Sequence, residues 1–561
     1  MKKLFICILS LVLLFGMTGC EIDKGAGGNQ TKSNEPSTEK ADLTDLYNLS
    51  DAQYLTVIDG VVNEERSIKS DGFVYIPYSI VKSLDSRFYF NSAEEQMLIT
   101  TSKDVLCYWP DTLSHEEQGE RVEDKAAMLR TFEGHLFVST DIFLRYSDVN
   151  TRVMENPSRV VLFRNGVDYD AVTVNKDTCV RYGASMQKPI VTELKAGTMV
   201  LVAGKATNGF LPVSTEDGLV GFVSQADIGE SSKRLLHTSM KDYERIVGPD
   251  HIHMMWHQMW AVQGGEDLRS ALLNTKGVNV IAPTWFDFKD VDGSIVSFAN
   301  ASYVEEAHRR GIQVWALCSD FAEDVKGYDV LSNTESRRNL EQNLVSEVVR
   351  VGADGINLDF EYITKDSGPH YMQFIRELYL LCRENNLILS VCDFVPSAGK
   401  SQYKLAEQAD VADYIVFMAY DEHYKASGAG SVASYPWVEM AVSTAVQIIP
   451  PEKIVLGIPV FNRIWATDKD GKLSIENGGM TQLAEKMMKG ANGEAVWNED
   501  SKQYYVEYTN TKEGVRYQCW IEDATSLEYK LKLIPEYNLC GYAGWKLGLE
   551  ATDVWSLLEK Y

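Results

Sequence analysis

Residues 354–363 of the chain read DGINLDFEYI, a run in which polar residues interrupt what is otherwise an apolar strand. Asn357, Asp359 and Glu361 stand two apart, with an apolar residue between each pair. Side chains alternate between the two faces of a strand, so these three share one face. Burying carboxylates is costly unless they are paired or used. The pattern therefore predicts a buried strand that carries a functional acid cluster.

The sequence around this strand predicts a TIM barrel over residues 248–561. Apolar strand candidates alternate with amphipathic helical stretches such as ESRRNLEQNLVSEVVRVG, as expected for repeated βα units. Eight strand candidates begin near residues 252, 278, 312, 355, 387, 413, 453 and 540. The gap from 466 to 538 is too long for a crossover and contains strand-like YYVEYT and VRYQCWIE. We expect a small α+β insertion there, after the seventh strand.

In such a barrel DGINLDFE becomes the fourth strand. Its polar face points into the barrel, and Glu361 lies at the carboxyl end, where TIM-barrel active sites are found. A hydrogen-bonded structural acid cluster and a metal site are the alternatives. No convergent His or further Asp cluster supports the metal site, so none is expected.

Several motifs then resemble family 18 of the glycoside hydrolases, the chitinase-like enzymes. DGINLDFE is similar to the family's DxxDxDxE strand, with Asn357 in place of the middle Asp. FMAYD (417–421) resembles the sixth-strand motif, and AGWKLG (543–548) resembles the eighth-strand motif. APTWF (282–286) and LGIPVF (456–461) fit the branch that contains spore-cortex and wall-lytic enzymes. The resemblance covers about residues 248–561.

The resemblance implies substrate-assisted catalysis, in which the 2-acetamido oxygen of the sugar attacks the anomeric carbon. Glu361 would be the general acid/base, with its pKa raised by burial and by Asp359. Asp359 would accept the acetamido N–H, and Tyr420 would donate its hydroxyl to the acetamido oxygen. The amide of Asn357 would donate to Asp359 and keep it mainly ionised. No cofactor is implied.

Further substrate contacts are expected around this centre. Trp545 would stack on the sugar, and Asp421 would contact substrate or orient its neighbours. Trp285 and Asp393, at the ends of the second and fifth strands, are also assigned to the cleft, with simple packing as the alternative for Trp285. Weaker candidates, for which packing or rim positions compete, are His257, Trp260, Glu422, His423, Tyr435, Trp437, Trp520 and Asp523.

The N-terminus MKKLFICILSLVLLFGMTGC reads as an export signal, with two lysines before a short apolar run. Its end resembles a bacterial lipoprotein cleavage box, which makes Cys20 the expected lipidation site. A secreted protein with an incidental Cys is the alternative. Residues 21–42 are rich in Gly, Ser and Thr and are predicted to be a flexible linker. The expected location is the outer face of the bacterial cytoplasmic membrane, at the cell wall.

Two smaller modules are expected before the barrel. Residues 43–165 contain an internal repeat, 73–101 and 135–164, that resembles the module at the N-terminus of copper amine oxidases. It shows no His cluster, so no copper is implied. Residues 170–230 carry short β-rich runs broken by Gly turns and resemble bacterial Src-homology-3-like wall-binding barrels. A packing module and a generic spacer barrel are the respective alternatives.

The length and net charge of the chain limit the classes of partner that it can bind. The chain has 561 residues, enough for two to four domains. Its formal net charge of −26 disfavours nucleic acid and docking on anionic lipid, but suits a neutral glycan. The leading function is therefore a membrane-tethered glycosidase that cleaves β-1,4 linkages at N-acetylglucosamine in peptidoglycan, or in chitin-like polymers. A non-catalytic glycan-binding wall lipoprotein and a wall scaffold are the alternatives.

Overall fold

The computed structural model describes residues 35–235 and 243–561, so the predicted signal, Cys20 and most of the predicted linker lie outside the described residues. The chain divides into two compact units. Among the described residues, one contains 35–43 together with 171–232, and the other contains 44–170 together with 233–235 and 243–561. No helix in the described part combines the length and apolarity needed to cross a bilayer.

The smaller unit is built on an antiparallel sheet whose strands are joined by short turns. A 3-10 helix, Gln225–Asp227, precedes the last strand. Residues 37–41, assigned to the flexible linker from sequence, instead run along the strand at Ile190, with backbone bonds in both directions. The linker prediction is therefore wrong for these residues, because their backbone groups complete a sheet edge. The strands of this sheet are Asp168–Val174, Thr178–Arg181, Ile190–Leu194, Met199–Val202, Phe210–Ser214, Val220–Ser224 and Ile228–Leu235.

In the larger unit, residues 44–170 contain the internal repeat as strand, helix and hairpin, twice over. The helices are Tyr78–Leu84 and Thr140–Tyr146, and a short helix, Leu43–Leu46, precedes the first copy. The first strands of the copies, Phe73–Pro77 and His135–Ser139, pair with each other. One sheet also holds Gln53–Ile58, Val61–Val62, Ser67–Ser70, Leu129–Phe132, Val149–Met154 and Arg159–Arg164. The other is a meander of Phe88–Asn91, Gln96–Thr100, Val105–Tyr108, Ser114–Glu117 and Glu120–Glu123.

Residues 252–558 form a closed barrel of eight parallel strands, which confirms the predicted fold. We label them β1 to β8 in chain order. β1 pairs with both β2 and β8, so no edge remains open. The strands are β1 Ile252–His257, β2 Val280–Phe288, β3 Gln313–Ser319, β4 Gly355–Asp359, β5 Ile388–Phe394, β6 Tyr414–Met418, β7 Ile454–Pro459 and β8 Gly541–Trp545. A short strand, Ile295–Ser297, pairs with the end of β2.

Helices surround the barrel and cover the outer face of each strand. Ile356 and Leu358 of β4 point outwards into this helical layer, whereas Trp315 and Leu317 of β3 fill the interior. The helices are Gly265–Ala271, Ala301–Arg309, Gly327–Leu331, Thr334–Val351, Gly368–Glu384, Leu405–Val411, Tyr435–Ala445, Ala524–Leu531, Leu533–Tyr537 and Trp555–Leu558. Short 3-10 segments are Ala398–Tyr403, Pro451–Lys453 and Thr552–Val554.

The insertion after β7 is an antiparallel sheet with one helix, Met480–Gly490, packed on it. It begins directly after β7 and runs from 461 to 521. It ends before 538 because the two helices between 524 and 537 form the crossover to β8. Its strands are Phe461–Thr467, Leu473–Gly479, Val496–Asn498, Gln503–Asn510 and Val515–Ile521.

The meander of the repeat region packs on the two helices that flank β4. Gln373 Nε2 donates to Thr100 Oγ1 at 2.7 Å, and Arg376 donates to Ser86 Oγ at 2.7 Å. The carboxylate of Glu94 accepts the backbone N–H of Thr334 at 2.8 Å, at the start of the longer helix. Residues 44–170 therefore contribute buried polar contacts to the barrel.

Candidate active site

The acid cluster lies at the carboxyl end of β4, inside the barrel. Asn357 is fully buried and Asp359, the last residue of the strand, is nearly so. Glu361 follows two residues later and is partly exposed at the mouth. The alternation read from the sequence thus holds along the strand, since the apolar neighbours point to the helices.

Asn357 is held by three groups, and none of them is Asp359. Its Oδ1 accepts Nε1–H of Trp256 at 3.1 Å and the thiol of Cys392 at 3.3 Å. Its Nδ2 donates to Ser390 Oγ at 2.9 Å. The expectation that the amide donates to Asp359 is therefore wrong, because the amide is already engaged by strands β1 and β5.

Asp359 carries a buried oxygen without a partner. Its Oδ1 has no hydrogen-bond donor among the described residues. Burial, and then the charges of Glu361 and Asp320, raise the pKa of Asp359 well above its usual value. This direction contradicts the expectation that Asp359 stays mainly ionised. In the free protein Asp359 therefore competes with Glu361 for a proton, and its Oδ1 is open to the N–H of a ligand.

Glu361 has the protonation behaviour of a general acid. Burial first, and then the negative charges of Asp320 and Asp421, raise the pKa of Glu361 to about 7, while Lys400 opposes the rise. A carboxyl with a pKa near the working pH can donate a proton and later take one back. Two interacting carboxyls titrate as a pair, so the proton near pH 7 belongs to Asp359 and Glu361 jointly.

Asp320, which the sequence reading missed, fixes the backbone that carries Glu361. It follows β3 directly, and its two oxygens accept the backbone N–H groups of Glu361 at 2.8 Å and Tyr362 at 3.0 Å. Burial raises the pKa of Asp320 to about 6, although both hydrogen bonds oppose the shift. An acid directly after a buried apolar strand was the only available signal.

The same device occurs one strand earlier. Asp287, near the end of β2, accepts the backbone N–H groups of Phe321 at 3.1 Å and Ala322 at 3.3 Å through Oδ1. Each carboxylate thus fixes the chain that leaves the next strand. The loops after β3 and β4 are held to the rim of the barrel by these contacts.

Aromatic residues form the floor of the mouth on the other side. Tyr420, which follows β6, and Trp545, at the end of β8, both pack against the barrel interior. Trp256 contacts both edge-on, with ring centroids 6.3 Å from Tyr420 and 5.9 Å from Trp545. Burial, and then the charge of Asp359, raise the pKa of Tyr420, so its hydroxyl keeps its proton. Trp256 therefore links the amide of Asn357 to both predicted substrate contacts.

Asp421 is paired with a residue that the sequence reading did not single out. Its Oδ1 lies 2.7 Å from Nη2 of Arg463, which is buried at the start of the insertion, while Asp421 itself is half exposed. Arg463 also donates to the carbonyl of His423 at 2.6 Å and to Asn477 Oδ1 at 2.7 Å. The insertion thus orients Asp421, with the second carboxylate oxygen left for solvent or substrate.

Trp285 is a correction to the predicted site. It is completely buried and packs edge-on against Tyr303 of an outer helix, with ring centroids 5.3 Å apart. Residue 285 falls on the outward face of β2, because Trp285 belongs to the apolar cluster of the helical layer, whereas Ala282 belongs to the cluster of the interior. Trp285 is a packing residue that a ligand in the barrel mouth cannot reach.

Asp393 is a second correction. It is 2% exposed and lies on the outer face of β5, since its neighbours Cys392 and Phe394 face the interior. Its Oδ1 accepts the N–H of Phe394 at 2.8 Å, and its Oδ2 has no partner among the described residues. Burial raises the pKa of Asp393 to about 7. It is a buried acid behind the site and not a substrate contact.

Most weaker candidates have structural roles. Glu422 accepts the backbone N–H of Ser434 at 2.7 Å, and Asp523 caps the helix that begins at Ala524. Tyr435 and Trp437 pack on the helical layer. His257 bonds to the hydroxyl of Tyr303 at 2.9 Å. His423 is partly buried, Trp260 is exposed after β1, and Trp520 stacks at a tilt on Tyr505 in the insertion.

Residues 35–235 and 243–561 contain no group of three His, Cys, Asp or Glu side chains arranged to hold a metal ion. The cysteines of these ranges are all unpaired, and all but Cys179 are buried.

Comparison with known proteins agrees with this geometry. Residues 288–550 match the sequence model of "Glycosyl hydrolases family 18". The barrel is therefore similar to family 18 over most of its length. The matched region contains the β4 acids, Tyr420 and Trp545, and indicates a glycosidase domain.

Curated proteins similar to the barrel domain include two from one Bacillus species. An uncharacterized glycosylase of Bacillus subtilis, YvbX, is 25% identical over 295 residues, which is 50% of this chain and 84% of that protein. The cortical fragment-lytic enzyme of the same organism is 27% identical over 242 residues, 42% of this chain and 56% of that protein. The chain thus spans about half of that second relative's length.

A solved structure shares the fold of the barrel domain. The spore cortex-lytic enzyme SleL of Bacillus megaterium superposes with a TM-score of 0.50 and 20% identity, covering 58% of this chain and 76% of that one.

Proposed function

We propose that this protein is a retaining glycosidase that cleaves β-1,4 linkages at N-acetylglucosamine in peptidoglycan, with chitin-like glycans as the second substrate class. The observation that carries the proposal is the combination of two neighbouring carboxyls at the end of β4. Asp359 offers a buried acceptor oxygen without a donor, and Glu361, at the mouth, has a pKa of about 7. An acetamido group supplies the N–H donor that Asp359 lacks, and a glycosidic oxygen accepts the proton of Glu361.

The proposed reaction uses these groups in the following way. Glu361 donates its proton to the glycosidic oxygen as the bond to the anomeric carbon breaks. The acetamido oxygen of the same sugar attacks that carbon and gives a cyclic oxazolinium ion. Asp359 accepts the acetamido N–H and stabilises the positive charge, while Tyr420 donates its hydroxyl to the acetamido oxygen. Glu361, now a carboxylate, takes a proton from water, which opens the ring with net retention.

The remaining contacts orient the sugar. Trp545 lies at the end of β8 against the barrel interior, where its ring can cover one face of the reacting sugar. Asp421, fixed by Arg463, offers its free oxygen to a sugar hydroxyl. Asn357 acts indirectly, because it ties Trp256 of the floor to β4.

Peptidoglycan is preferred over chitin on sequence grounds. The cortical fragment-lytic relative, the wall-lytic motifs and the resemblance of residues 170–230 to wall-binding barrels all favour a wall polymer. We also propose lipid anchoring at Cys20, which rests on the sequence alone. Replacing Cys20 by Ser should move the protein from the membrane to the soluble fraction, and continued membrane association would contradict the anchor.

The test of activity is a product analysis. A protein of residues 21–561 and its Glu361→Gln variant are incubated with purified peptidoglycan and with chitin oligomers, and new reducing ends are identified by mass spectrometry. The proposal expects N-acetylglucosamine reducing ends with the unchanged protein only. Binding without release in either substrate would contradict it and indicate a glycan-binding protein.

A further inference from the structure

The barrel mouth has two chemically different halves. The loops after β6, β7 and β8 carry the floor and the orienting contacts, Tyr420, Asp421 and Trp545. The loops after β3, β4 and β5 carry none of these, and they form the adjoining part of the rim, which contains Glu361. If Trp545 supports the sugar whose acetamido group reacts, the leaving saccharide must extend past Glu361 into the β3–β5 half.

Two exposed aromatic rings mark that half. Phe321 and Tyr362 contact each other edge-on with ring centroids 5.7 Å apart, and they are 42% and 70% exposed. Each follows a residue of the Asp320–Glu361 clamp directly, so both rings are fixed relative to the acid. Large exposed aromatics are unfavourable in water and are common where a flat, half-apolar ligand such as a sugar ring lies.

A cation completes this half. Lys400, in the loop after β5, places its ammonium 3.2 Å from the ring centroid of Phe394 and 5.5 Å from that of Tyr403. Phe394 is the last residue of β5 and faces the interior. Within the described residues no carboxylate lies at ion-pair distance from this ammonium, although Glu361 and Asp393 act on it electrostatically. The aromatic face supports a charge that has no anionic partner in direct contact.

The position of Lys400 is unfavourable for a general acid, because a nearby positive charge promotes ionisation of Glu361. Its charge lowers the pKa of Glu361, whereas Asp320 and Asp421 raise it. Partial burial also disfavours the charged form of Lys400 itself. An acidic protein of net charge −26 that acted only on a neutral polymer would gain nothing from a partly desolvated cation at this place.

We propose that the β3–β5 half is the leaving-group subsite and that Lys400 binds a carboxylate on the leaving saccharide, above the Phe321–Tyr362 rings. This inference rests on the proposed function and names its substrate class more closely. The leaving unit is an N-acetylated amino sugar with an anionic substituent, and the reacting unit is uncharged. The carboxylate has two possible sources, an ether-linked acid on the sugar itself and a peptide attached to that acid.

Five substrates separate these sources from a neutral polymer. They are peptide-free wall glycan with its ether-linked carboxylates, the same glycan after carbodiimide amidation with methylamine, peptide-bearing glycan with and without the same amidation, and chitin oligomers. Lys400→Met removes the charge and keeps the length of the side chain. Lys404→Met is the matched control, because Lys404 lies in the same loop but pairs with Glu407.

The readout is kcat/KM for each substrate, measured at the optimum pH of each variant because Lys400 also acts on Glu361. The proposal expects Lys400→Met to lose roughly 10- to 100-fold on a carboxylated glycan, as for one charged hydrogen bond. Its kcat/KM on the amidated glycan and on chitin oligomers should stay within about twofold of the value for the unchanged protein, because these substrates carry no carboxylate for Lys400 to bind. Lys404→Met should match the unchanged protein on all substrates. Sensitivity to amidation of peptide-free glycan identifies the sugar acid, and sensitivity only with peptide present identifies the peptide.

An equal loss on charged and uncharged substrates would overturn the inference, as would indifference of the unchanged protein to amidation of both glycans. Both results require measurable turnover that depends on Glu361. Absence of turnover on every substrate would contradict the proposed function instead, so the two failures are distinguishable.

Discussion

The carboxylate of Asp320 accepts the backbone N–H of Glu361 at 2.8 Å, across from the end of β3 to the loop after β4. Its other oxygen accepts the next N–H, that of Tyr362. The same group therefore fixes the position of the proposed acid and raises its pKa through its negative charge. Position and protonation of Glu361 depend on one buried neighbour.

Asp320→Asn separates these two effects in the pH profile. The amide keeps one acceptor oxygen but turns an N–H donor towards the N–H of Tyr362, so kcat should fall roughly tenfold. Loss of the negative charge lowers the pKa of Glu361. Because the acid must be protonated, activity disappears as pH rises through that pKa, and the alkaline limb of kcat/KM should move to lower pH.

Asp287→Asn is the control for this variant, because Asp287 fixes the neighbouring loop and is not among the groups that shift the pKa of Glu361. Its alkaline limb should stay near pH 7. An unchanged limb in Asp320→Asn would show that Asp320 has only a structural role.

Asn357→Asp introduces the residue that family 18 has at this position. The new carboxylate would be fully buried two residues from Asp359, and it would keep the acceptor for Trp256. Like charges at close range raise each other's pKa, so Asp359 and Glu361 should hold their proton to higher pH. We expect the alkaline limb of kcat/KM to move to higher pH, with the fold intact by circular dichroism. A profile identical to that of the unchanged protein would contradict this coupling.

Trp545 and Trp285 form a matched pair of large aromatics with opposite expected behaviour. Trp545→Ala removes a floor contact and should raise KM roughly tenfold, with a small change in Tm. Trp285→Ala opens a cavity in the helical layer and should cost about 3–5 kcal/mol of stability. Measuring KM and Tm of both variants shows which Trp contacts substrate and which one only packs in the helical layer. A raised KM without loss of stability in Trp285→Ala would restore Trp285 to the cleft.

Asp393→Asn tests the buried acid behind the site. Burial raises the folded-state pKa of Asp393 to about 7, above its value in the unfolded chain. Its contribution to stability is therefore fully present below about pH 4 and is lost as pH rises through about 7. The Asn variant lacks this titration, so its Tm should fall less than that of the unchanged protein between pH 5 and pH 8. Parallel Tm curves for the two proteins would contradict the assignment.

Local patterns were sufficient for the fold and for the line of polar residues on β4. Alternation placed Asn357 and Asp359 inside, because both faces of a barrel strand are buried and the two faces differ in polarity. The same alternation, counted from Ala282 and Cys392, places Trp285 and Asp393 outside. Those two predictions failed because position at a strand end was weighed above the direction of the side chain.

Contacts between distant segments could not be predicted in the same way. Arg463 meets Asp421 and Asp320 meets Glu361 across loops that only the closed barrel brings together. The sequence also suggested that residues 43–165 are a separate module. Thr100 and Ser86 nevertheless bond to the helix that follows β4, so the repeat region supports the barrel. The polarity of a single residue does not indicate which distant residue it will contact.

The most direct test of the account uses a thiazoline analogue of the oxazolinium ion, made from the disaccharide of N-acetylglucosamine. Its affinity is measured by titration calorimetry against that of the disaccharide itself, with Asp359→Ala as control. We predict binding at least ~10²-fold tighter for the analogue, as for mimics of a species stabilised during catalysis, and loss of that advantage in the variant. Equal affinities for the analogue and the disaccharide in the unchanged protein would contradict catalysis by the acetamido group at Asp359 and Glu361.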